Sequence, residues 1–238
     1  MTPATIAMIA ATLIAKVNPC YDAAMRIDIV ADVICPWCFI GKRRLEAALA
    51  QRPNIVAEIT WRPFQLNPDM PAEGMPRDAY LAAKFGGQAH AKRINQAVVD
   101  TGAGVGIPFA FDKIERTPST LAAHRLIRFA QRQGLGNGLV ERVFGAYFIE
   151  GRDIGNRDTL AAIAGESGLD AAAVREFLAG SGDRAEVMAD DAGARRLGIN
   201  AVPCFVFAGQ YAISGAQEPA FFFPVFDLVQ NGPARAAG

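Results

Sequence analysis

One stretch decides the fold of this chain, and it reads Asp32-Val33-Ile34-Cys35-Pro36-Trp37-Cys38. Residues 26–31 before it alternate in polarity and are β-branched, which predicts a strand. After it, apolar residues recur at helical spacing between charged ones, which predicts an amphipathic helix. Pro36 suits the first position of that helix, because its missing N–H is not needed there and its φ is already helical. Cys35 is therefore predicted to cap the helix.

The chemistry of the stretch follows from the position of its first sulfur. Unpaired backbone N–H groups and the positive end of the helix dipole point at Cys35, and both stabilise a thiolate. The thiolate is the nucleophilic form of cysteine, so Cys35 is predicted to be the attacking thiol. Cys38 follows one helical turn later, close enough to form a disulfide with Cys35.

A Cys-x-x-Cys pair has two other interpretations. It can be half of a structural zinc site, which requires four nitrogen or sulfur ligands, usually from two such pairs. The remaining cysteines and histidines are isolated in the sequence: Cys20, Cys204, His90 and His124. Alternatively, both thiols are small buried hydrophobic residues. The order strand, Cys, Pro, helix favours a redox pair, and we expect no metal.

Composition places the chain among globular proteins. Hydrophobic residues make up 51% and charged residues 20% of the 238 positions, which suffices for a sizeable core. Lys and Arg together number 24, as do Asp and Glu, and no basic run stands out, so we expect no nucleic-acid partner. Four cysteines in this length do not make a disulfide scaffold, which predicts a reducing, cytoplasmic compartment.

The first 24 residues have two interpretations. Residues 6–15 are apolar like the core of a signal peptide, but no Lys or Arg precedes them and no clean cleavage site follows. The run is too short to span a membrane, and we expect no membrane association. We interpret Met25 as the natural start and residues 1–24 as an extension outside the fold, which leaves Cys20 without a role. An export signal is the alternative.

The element order has a break in its middle. Residues 54–66 predict a second strand, which makes a βαβ unit with the first strand and helix, and residues 67–76 predict a loop. Helical patterns follow: residues 78–85, 89–99, a helix capped by Thr117 with Pro118 at its first position, and residues 139–150, 157–167, 171–178 and 184–197. Residues 201–207 and 211–213 then predict a β-hairpin, and residues 218–230 a final helix.

Removing the central helices leaves the element order of thioredoxin. We therefore predict the α/β class, with a thioredoxin-like domain formed by residues 25–66 and 184–238 and an all-helical insertion over residues 67–183. Pro203 stands at the start of the hairpin, where a cis Val202–Pro203 bond would place the Val202 backbone beside the cysteine pair. A trans proline at the first residue of a strand is the alternative.

The chain resembles the DsbA-like thioredoxin family, and within it the FrnE-like branch of dithiol–disulfide oxidoreductases. The stretches that carry the resemblance span the chain in order: residues 32–42, 123–127, 146–148, 151–154, 202–203 and 213–217. The resemblance implies a thioredoxin domain with a helical insertion, Cys35 as nucleophile, Cys38 as resolving thiol and Pro203 in cis. It also implies no metal or organic cofactor, the redox-active disulfide being the only reactive group.

One departure from the family concerns Cys204, because an aromatic residue usually follows the cis-proline. A third thiol there could pair with Cys35 or Cys38 or take up glutathione; the alternative is a buried small hydrophobic residue. Asp32 could accept the proton of Cys38; the alternative is a capping or turn Asp, which is favoured just before a helix. Trp37 is expected in the substrate platform, or else packed on the insertion.

Two further residues, His124 and Arg125, lie on the helix that follows Pro118. His124 is interpreted as a hydrogen-bonded core or site-lining histidine rather than a ligand. Arg125 is interpreted as solvated or salt-bridged.

The predicted function is a thiol–disulfide oxidoreductase that acts on a protein or small-molecule disulfide or dithiol, with glutathione as a candidate co-substrate. The first alternative is a glutathione-dependent isomerase or transferase of the 2-hydroxychromene-2-carboxylate isomerase or kappa type. Those enzymes typically carry Ser where Cys35 stands and lack the second cysteine. The second alternative is a non-catalytic binding module. The sequence leaves a homodimer open.

Overall fold

The computed structural model describes residues 24–231, apart from the side chains of residues 88 and 89. Cys20 and residues 1–23 of the predicted extension lie outside that range. A four-stranded sheet in the order β2-β1-β5-β6 forms the centre. Its strands are β1 (Met25–Ala31), β2 (Ala57–Pro63), β5 (Cys204–Phe207) and β6 (Tyr211–Ser214). β1 pairs in parallel with β2 and antiparallel with β5, and β5 pairs antiparallel with β6.

The helix α1 (Pro36–Ala50) connects β1 to β2, as parallel strands require a crossover between them. Ile27 and Ile29 of β1 are each 1% exposed, whereas Arg26 is exposed, which is the alternation that predicts the strand. The β-α-β unit, the hairpin and the final helix confirm the predicted α/β class. Predicted strand 54–66 is longer than β2, because residues 51–54 form a turn instead.

The middle of the chain is mainly helical. Its helices are α2 (Arg77–Phe85), α3 (Gln88–Ala103), α4 (Leu121–Gln131), α5 (Gly136–Phe148), α6 (Arg157–Glu166) and α7 (Ala171–Ala179), and α8 (Arg184–Arg196) leads back to the sheet. The segment also contains a two-stranded ribbon of β3 (Met75–Pro76) and β4 (Arg116–Thr117), so the prediction of an all-helical insertion was wrong in this detail. The boundaries at residues 66/67 and 183/184 stay predictions.

The predicted start of α4 was wrong by several residues. Thr117 does not cap the helix but pairs with Met75 in the ribbon, and the N-cap is Thr120. The residue before a proline is disfavoured in the helical region, so Pro118 holds Thr117 extended. The final helix, α9 (Phe223–Asn231), begins five residues after the predicted start at residue 218, because a short 3₁₀ turn over Pro219–Phe221 comes first. Pro224 lies in the first turn of α9, where a proline is tolerated.

Aromatic side chains join α1 to the inserted helices. Phe39 of α1 stacks on Phe144 of α5 with ring centroids 5.0 Å apart, and Phe109 contacts Phe148 edge to face at 5.4 Å. Burying each ring contributes about 1.5–3 kcal/mol. The insertion and the sheet therefore share one continuous core.

A second cluster lies apart from this core. It consists of Val30, Phe64, Ala194 and Cys204. Successive residues of a strand point to opposite faces, so Cys204 and its neighbour Phe205, which belongs to the main core, face away from each other. In the part of the chain that the structure describes, no helix is long and apolar enough to cross a bilayer.

Candidate active site

The cysteine pair lies at the N-terminus of α1. Cys35 is the N-cap residue in extended conformation, with Pro36 in the first helical turn. The N–H of Cys35 donates to the carbonyl of Asp32 at 3.0 Å, and the N–H of Cys38 donates to the carbonyl of Cys35 at 3.0 Å. These bonds tighten the turn from β1 into α1, and the sulfur of Cys35 lies where the helix leaves its N–H groups unpaired.

The two sulfurs have different surroundings. Cys35 is 6% exposed and Cys38 is fully buried, while Trp37 between them is 38% exposed. All cysteines in the described part of the chain are free thiols. Burial, followed by a hydrogen bond to Cys35 and the charge of that group, raises the pKa of Cys38 well above its ordinary value; a backbone hydrogen bond at Asp32 opposes the shift. Cys38 is therefore held as a neutral thiol beneath Cys35.

The hairpin supplies the other wall of the site. The Val202–Pro203 peptide bond is cis, as the sequence predicts. The sulfur of Cys35 lies 3.7 Å from the carbonyl oxygen of Val202, within reach of a weak S–H donor. The loop before β5 thus meets the start of α1 at the nucleophile.

Gly41 explains how α1 comes so close to this loop. A Cβ atom at that position would lie 2.8 Å from Cγ of Pro203 and 3.0 Å from the Phe205 ring. Only a hydrogen atom fits there, so glycine permits the close packing of α1 against the cis-proline. Further along α1, the guanidinium of Arg44 binds the carbonyl of Ala216 and the carboxylate of Glu218.

Asp32 is fully buried below the pair. Its Oδ2 accepts the N–H of Leu66 at 2.7 Å, and its Oδ1 lies 3.5 Å from the N–H of Ile34. In the described part of the chain no side-chain hydrogen bond caps α1, so Asp32 is not a helix cap. The N–H groups of Ile34 and Cys35 both bond to Asp32, which makes it the turn residue that the alternative also allowed. The carboxylate instead faces the interior between the pair and α4.

His124 lines the site, as the sequence indicates, but it is not hydrogen-bonded as expected there. The side chain is 4% exposed and comes from α4, more than eighty positions along the chain from the cysteine pair. Its Nε2 lies 3.4 Å from Oδ1 of Asp32 yet makes no hydrogen bond to any residue that the structure describes. The sequence signal for this position is its place on an apolar face of the helix.

Cys204 does not join the pair. Its side chain packs with Val30, Phe64 and Ala194 in the second cluster, and burial raises the pKa of its thiol. Cys35 and Cys38 belong to the main core instead. The structure therefore favours the buried small residue over a third reactive thiol.

Arg125 differs from the sequence interpretation. Its guanidinium is buried and pairs with no carboxylate that the structure describes. It donates instead to backbone carbonyls in the last turn of α7 and in the loop after it, those of Phe177, Leu178, Gly180 and Gly182. Burial, and then the charges of Arg157 and Arg184, lower its pKa. Arg125 thus pairs with carbonyls that a helix end leaves without partners inside the helix, which is a structural role.

The class of protein follows from this geometry. A Cys-x-x-Cys pair begins the helix after β1 and meets a cis-proline that precedes an antiparallel hairpin, and this is the architecture of a thioredoxin-fold protein. A family model described as a DSBA-like thioredoxin domain matches residues 26–223, and the chain belongs to this family. Membership of the FrnE-like branch stays a prediction. Over residues 24–231, no group of three or more His, Cys, Asp or Glu side chains is placed to hold a metal ion.

Solved structures agree with this assignment. A probable DsbA oxidoreductase from Streptomyces coelicolor is 30% identical with a TM-score of 0.79, covering 90% of this chain and 93% of that one. A 2-hydroxychromene-2-carboxylate isomerase is 16% identical with a TM-score of 0.62, covering 87% and 95%. The cytosolic disulfide reductase DsbM from Pseudomonas aeruginosa is 20% identical with a TM-score of 0.61, covering 85% and 99%. The last two likenesses concern the fold alone.

Proposed function

We propose that this protein is a dithiol–disulfide oxidoreductase that uses Cys35 as nucleophile and Cys38 as resolving thiol. The observation that carries the proposal is the position of the Cys35 sulfur, at the N-terminus of α1 and 3.7 Å from the carbonyl of Val202 beside the cis-proline. The helix end stabilises a thiolate at this point. Cys38, directly beneath, is protected from reagents until Cys35 has reacted.

The reaction has two balanced steps. The Cys35 thiolate attacks one sulfur of the substrate disulfide, whose S–S bond breaks and releases the first substrate thiolate. Cys38 then loses its proton and attacks the sulfur of Cys35, which closes the Cys35–Cys38 disulfide and releases the second substrate thiolate. The substrate gains two electrons and the pair loses two. In the opposite direction the same steps oxidise a dithiol.

Substrate binding is proposed at the loop before β5. An extended segment can pair with an unpaired strand backbone, and the backbone at Val202 lies beside the attacking sulfur. Trp37, exposed next to it, supplies an apolar platform. Protein and small-molecule disulfides both fit this description, and glutathione is proposed as a co-substrate. DsbM has been solved with glutathione. We propose no resident metal or organic cofactor.

A cytoplasmic site of action is part of the proposal. Four cysteines in 238 residues are too few for a disulfide scaffold, and Cys35, Cys38 and Cys204 occupy positions that do not depend on cross-links. DsbM, whose fold is similar, is a cytosolic disulfide reductase. In that compartment the Cys35–Cys38 pair would act as a reductant.

The test is a redox titration of the purified protein in glutathione buffers, followed by tryptophan fluorescence. Trp37 lies between the two sulfurs and is partly exposed, whereas Trp61 is buried under α5 with its indole N–H on Asn137. A reversible two-electron transition is expected, absent in Cys38→Ser and silent in Trp37→Phe. Thiols that stay reduced, or carry only glutathione, would refute the proposal and favour the glutathione-dependent isomerase.

A further inference from the structure

The resolving step poses a problem of proton transfer. Cys38 is fully buried, so water cannot remove its proton directly. Burial and the neighbouring Cys35 raise the pKa of Cys38 well above its ordinary value, which makes spontaneous ionisation at neutral pH rare. A group inside the protein must accept this proton when Cys38 attacks.

The Asp32 carboxylate acts electrostatically on Cys38 and is fully buried, so it has no direct route to solvent. A backbone hydrogen bond at Asp32 reaches Cys38, and the Asp32 carboxylate lies close enough for its charge to act on that thiol. The carboxylate is fully buried, and its Oδ2 is occupied by the N–H of Leu66. Only Oδ1 is turned to a second titratable side chain, the imidazole of His124 at 3.4 Å. Among the described residues, His124 is therefore the next acceptor for a proton taken by Asp32.

His124 connects Asp32 with a small cavity between β2 and α4. The lining of this cavity includes His124 together with Trp61, Arg62, Ile127 and Arg128. Arg62 is exposed, so this lining extends from the buried histidine to the protein surface. The Nε2 atom that faces Asp32 is buried without a hydrogen bond to any described residue. A buried polar atom without a hydrogen bond lowers the stability of the fold by about 1–3 kcal/mol. Stability therefore does not explain why the Nε2 atom of His124 lies beside a carboxylate without a hydrogen-bond partner among the described residues.

The two arginines that line this cavity are each paired with a carboxylate other than Asp32. Arg62 binds Asp28 at 2.7 Å, and Arg128 binds Asp190 at 2.7 Å. From α5, Tyr147 acts electrostatically on Asp32, but burial raises the pKa of Tyr147 so that it stays a neutral hydroxyl. From α1, the group that faces Asp32 is Cys38 itself.

We propose that His124 is a positioning residue of the resolving step, which relays the Cys38 proton from Asp32 to the cavity between β2 and α4. The inference rests on the proposed oxidoreductase function. The Cys38 S–H proton passes to the Asp32 carboxylate, while its electron pair forms the bond to the sulfur of Cys35. The bond from Cys35 to the substrate sulfur breaks, and that sulfur leaves as a thiolate with the bonding pair. The proton moves on through the imidazole to solvent, and the reverse path serves reduction of the Cys35–Cys38 disulfide.

The experiment separates the two chemical steps. In a Cys38→Ser background, the rate at which Cys35 forms a mixed disulfide with glutathione disulfide reports attack alone. In the protein that keeps both Cys35 and Cys38, acid quenching and mass spectrometry report how fast that mixed disulfide is resolved. His124→Gln should leave attack within about twofold and slow resolution by about a hundredfold, since positioned proton transfer typically contributes 10²–10⁴-fold.

The pH profile gives a readout that a merely structural role would not change. Without the relay, resolution depends on the small fraction of protein in which Cys38 is already ionised, and this fraction rises about tenfold per pH unit below the raised pKa of Cys38. Resolution in His124→Gln should therefore rise about tenfold per pH unit between pH 6 and 9. The unaltered protein should rise less steeply. His90→Gln is the matched control, because His90 is an exposed histidine on α3 that contacts Arg93, and it should change neither rate.

A second variant guards against loss of folding. His124→Ala leaves a space for added imidazole, which should restore resolution in a concentration-dependent manner without affecting attack. Unchanged resolution and pH slope in His124→Gln would overturn the inference, as would equal slowing of attack and resolution. If Cys35 in the unaltered chain forms no mixed disulfide at all, the oxidoreductase proposal itself fails.

Discussion

Cys35 and Cys204 show how little exposure says about a thiol. They are 6% and 5% exposed, respectively, and both stand close to the cis-proline, Cys35 in space and Cys204 in sequence. Cys35 ends a turn in front of the unpaired N–H groups of α1, whereas Cys204 lies within β5 against the side chains of Val30 and Phe64. Polar neighbours, rather than access to water, therefore separate a site thiol from a core thiol.

The largest expected difference concerns exchange activity. Cys35→Ser should lower the rate of reduction of a model disulfide by at least about a thousandfold, because a serine hydroxyl is not ionised at neutral pH. Cys204→Ser should stay within twofold, since that side chain faces away from the main core. Initial rates with a chromogenic disulfide measure both. Similar losses in the two variants would show that Cys204 takes part in the chemistry.

Alkylation at different pH values should sharpen the same contrast. At pH 7, iodoacetamide should modify Cys35 about a hundredfold faster than Cys204, because the thiolate is the reacting species. Burial raises the pKa of Cys204, so its labelling should increase about tenfold per pH unit well past pH 9. Peptide mass spectrometry of the reduced protein gives each rate. Equal labelling at pH 7 would contradict the role given to the helix N-terminus.

A smaller effect is expected from the contact between α1 and the hairpin. Gly41→Ala should reduce exchange activity roughly tenfold and destabilise the fold by about 1–3 kcal/mol, because the added methyl group overlaps Pro203 and Phe205. Gly138→Ala in α5 is the matched control: no described residue lies within 4 Å of its new Cβ, and the substitution should stabilise the helix by about 0.5–1 kcal/mol. Urea unfolding and initial rates distinguish them. An active, stable Gly41→Ala would show that the close approach is dispensable.

The smallest expected effect is that of Cys204→Ala. Removing one buried sulfur from the cluster with Val30 and Phe64 should cost about 1 kcal/mol of unfolding free energy. The midpoint of the glutathione titration should not change. A shifted midpoint would mean that Cys204 influences the Cys35–Cys38 couple from the other face of the sheet.

Local signals were sufficient for much of the site. The strand before Asp32, the cap at Cys35 and the proline at the first helical turn depend on residues next to one another, and the cis bond at Pro203 was predicted from its place before a strand. The start of α4 was missed although the signal was also local. Pro118 was interpreted as the first helical residue, whereas it holds Thr117 extended.

Long-range contacts escaped the sequence. Arg125 binds carbonyls more than fifty positions away, and nothing in its neighbours along the chain distinguishes it from a solvated arginine. His124 faces Asp32 although the two residues are 92 positions apart in sequence (124 − 32), so its place on an apolar helix face could indicate only that it was buried. Cys38 lies next to Cys35 because one helical turn separates them. Cys204 does not, because its side chain points to the other face of the sheet.

By itself, the sequence determined the reactive element: a helix that begins at Cys35 and Pro36, with a second thiol one turn later. Hydrogen bonds and dipoles within a few residues produce that element, so adjacent positions suffice to specify it. Only the tertiary structure decided which groups surround the sulfurs, bringing Val202 beside Cys35 and Asp32 with His124 beneath Cys38. Packing assembles such groups from distant segments, and burial then changes their chemistry in ways that no local pattern encodes.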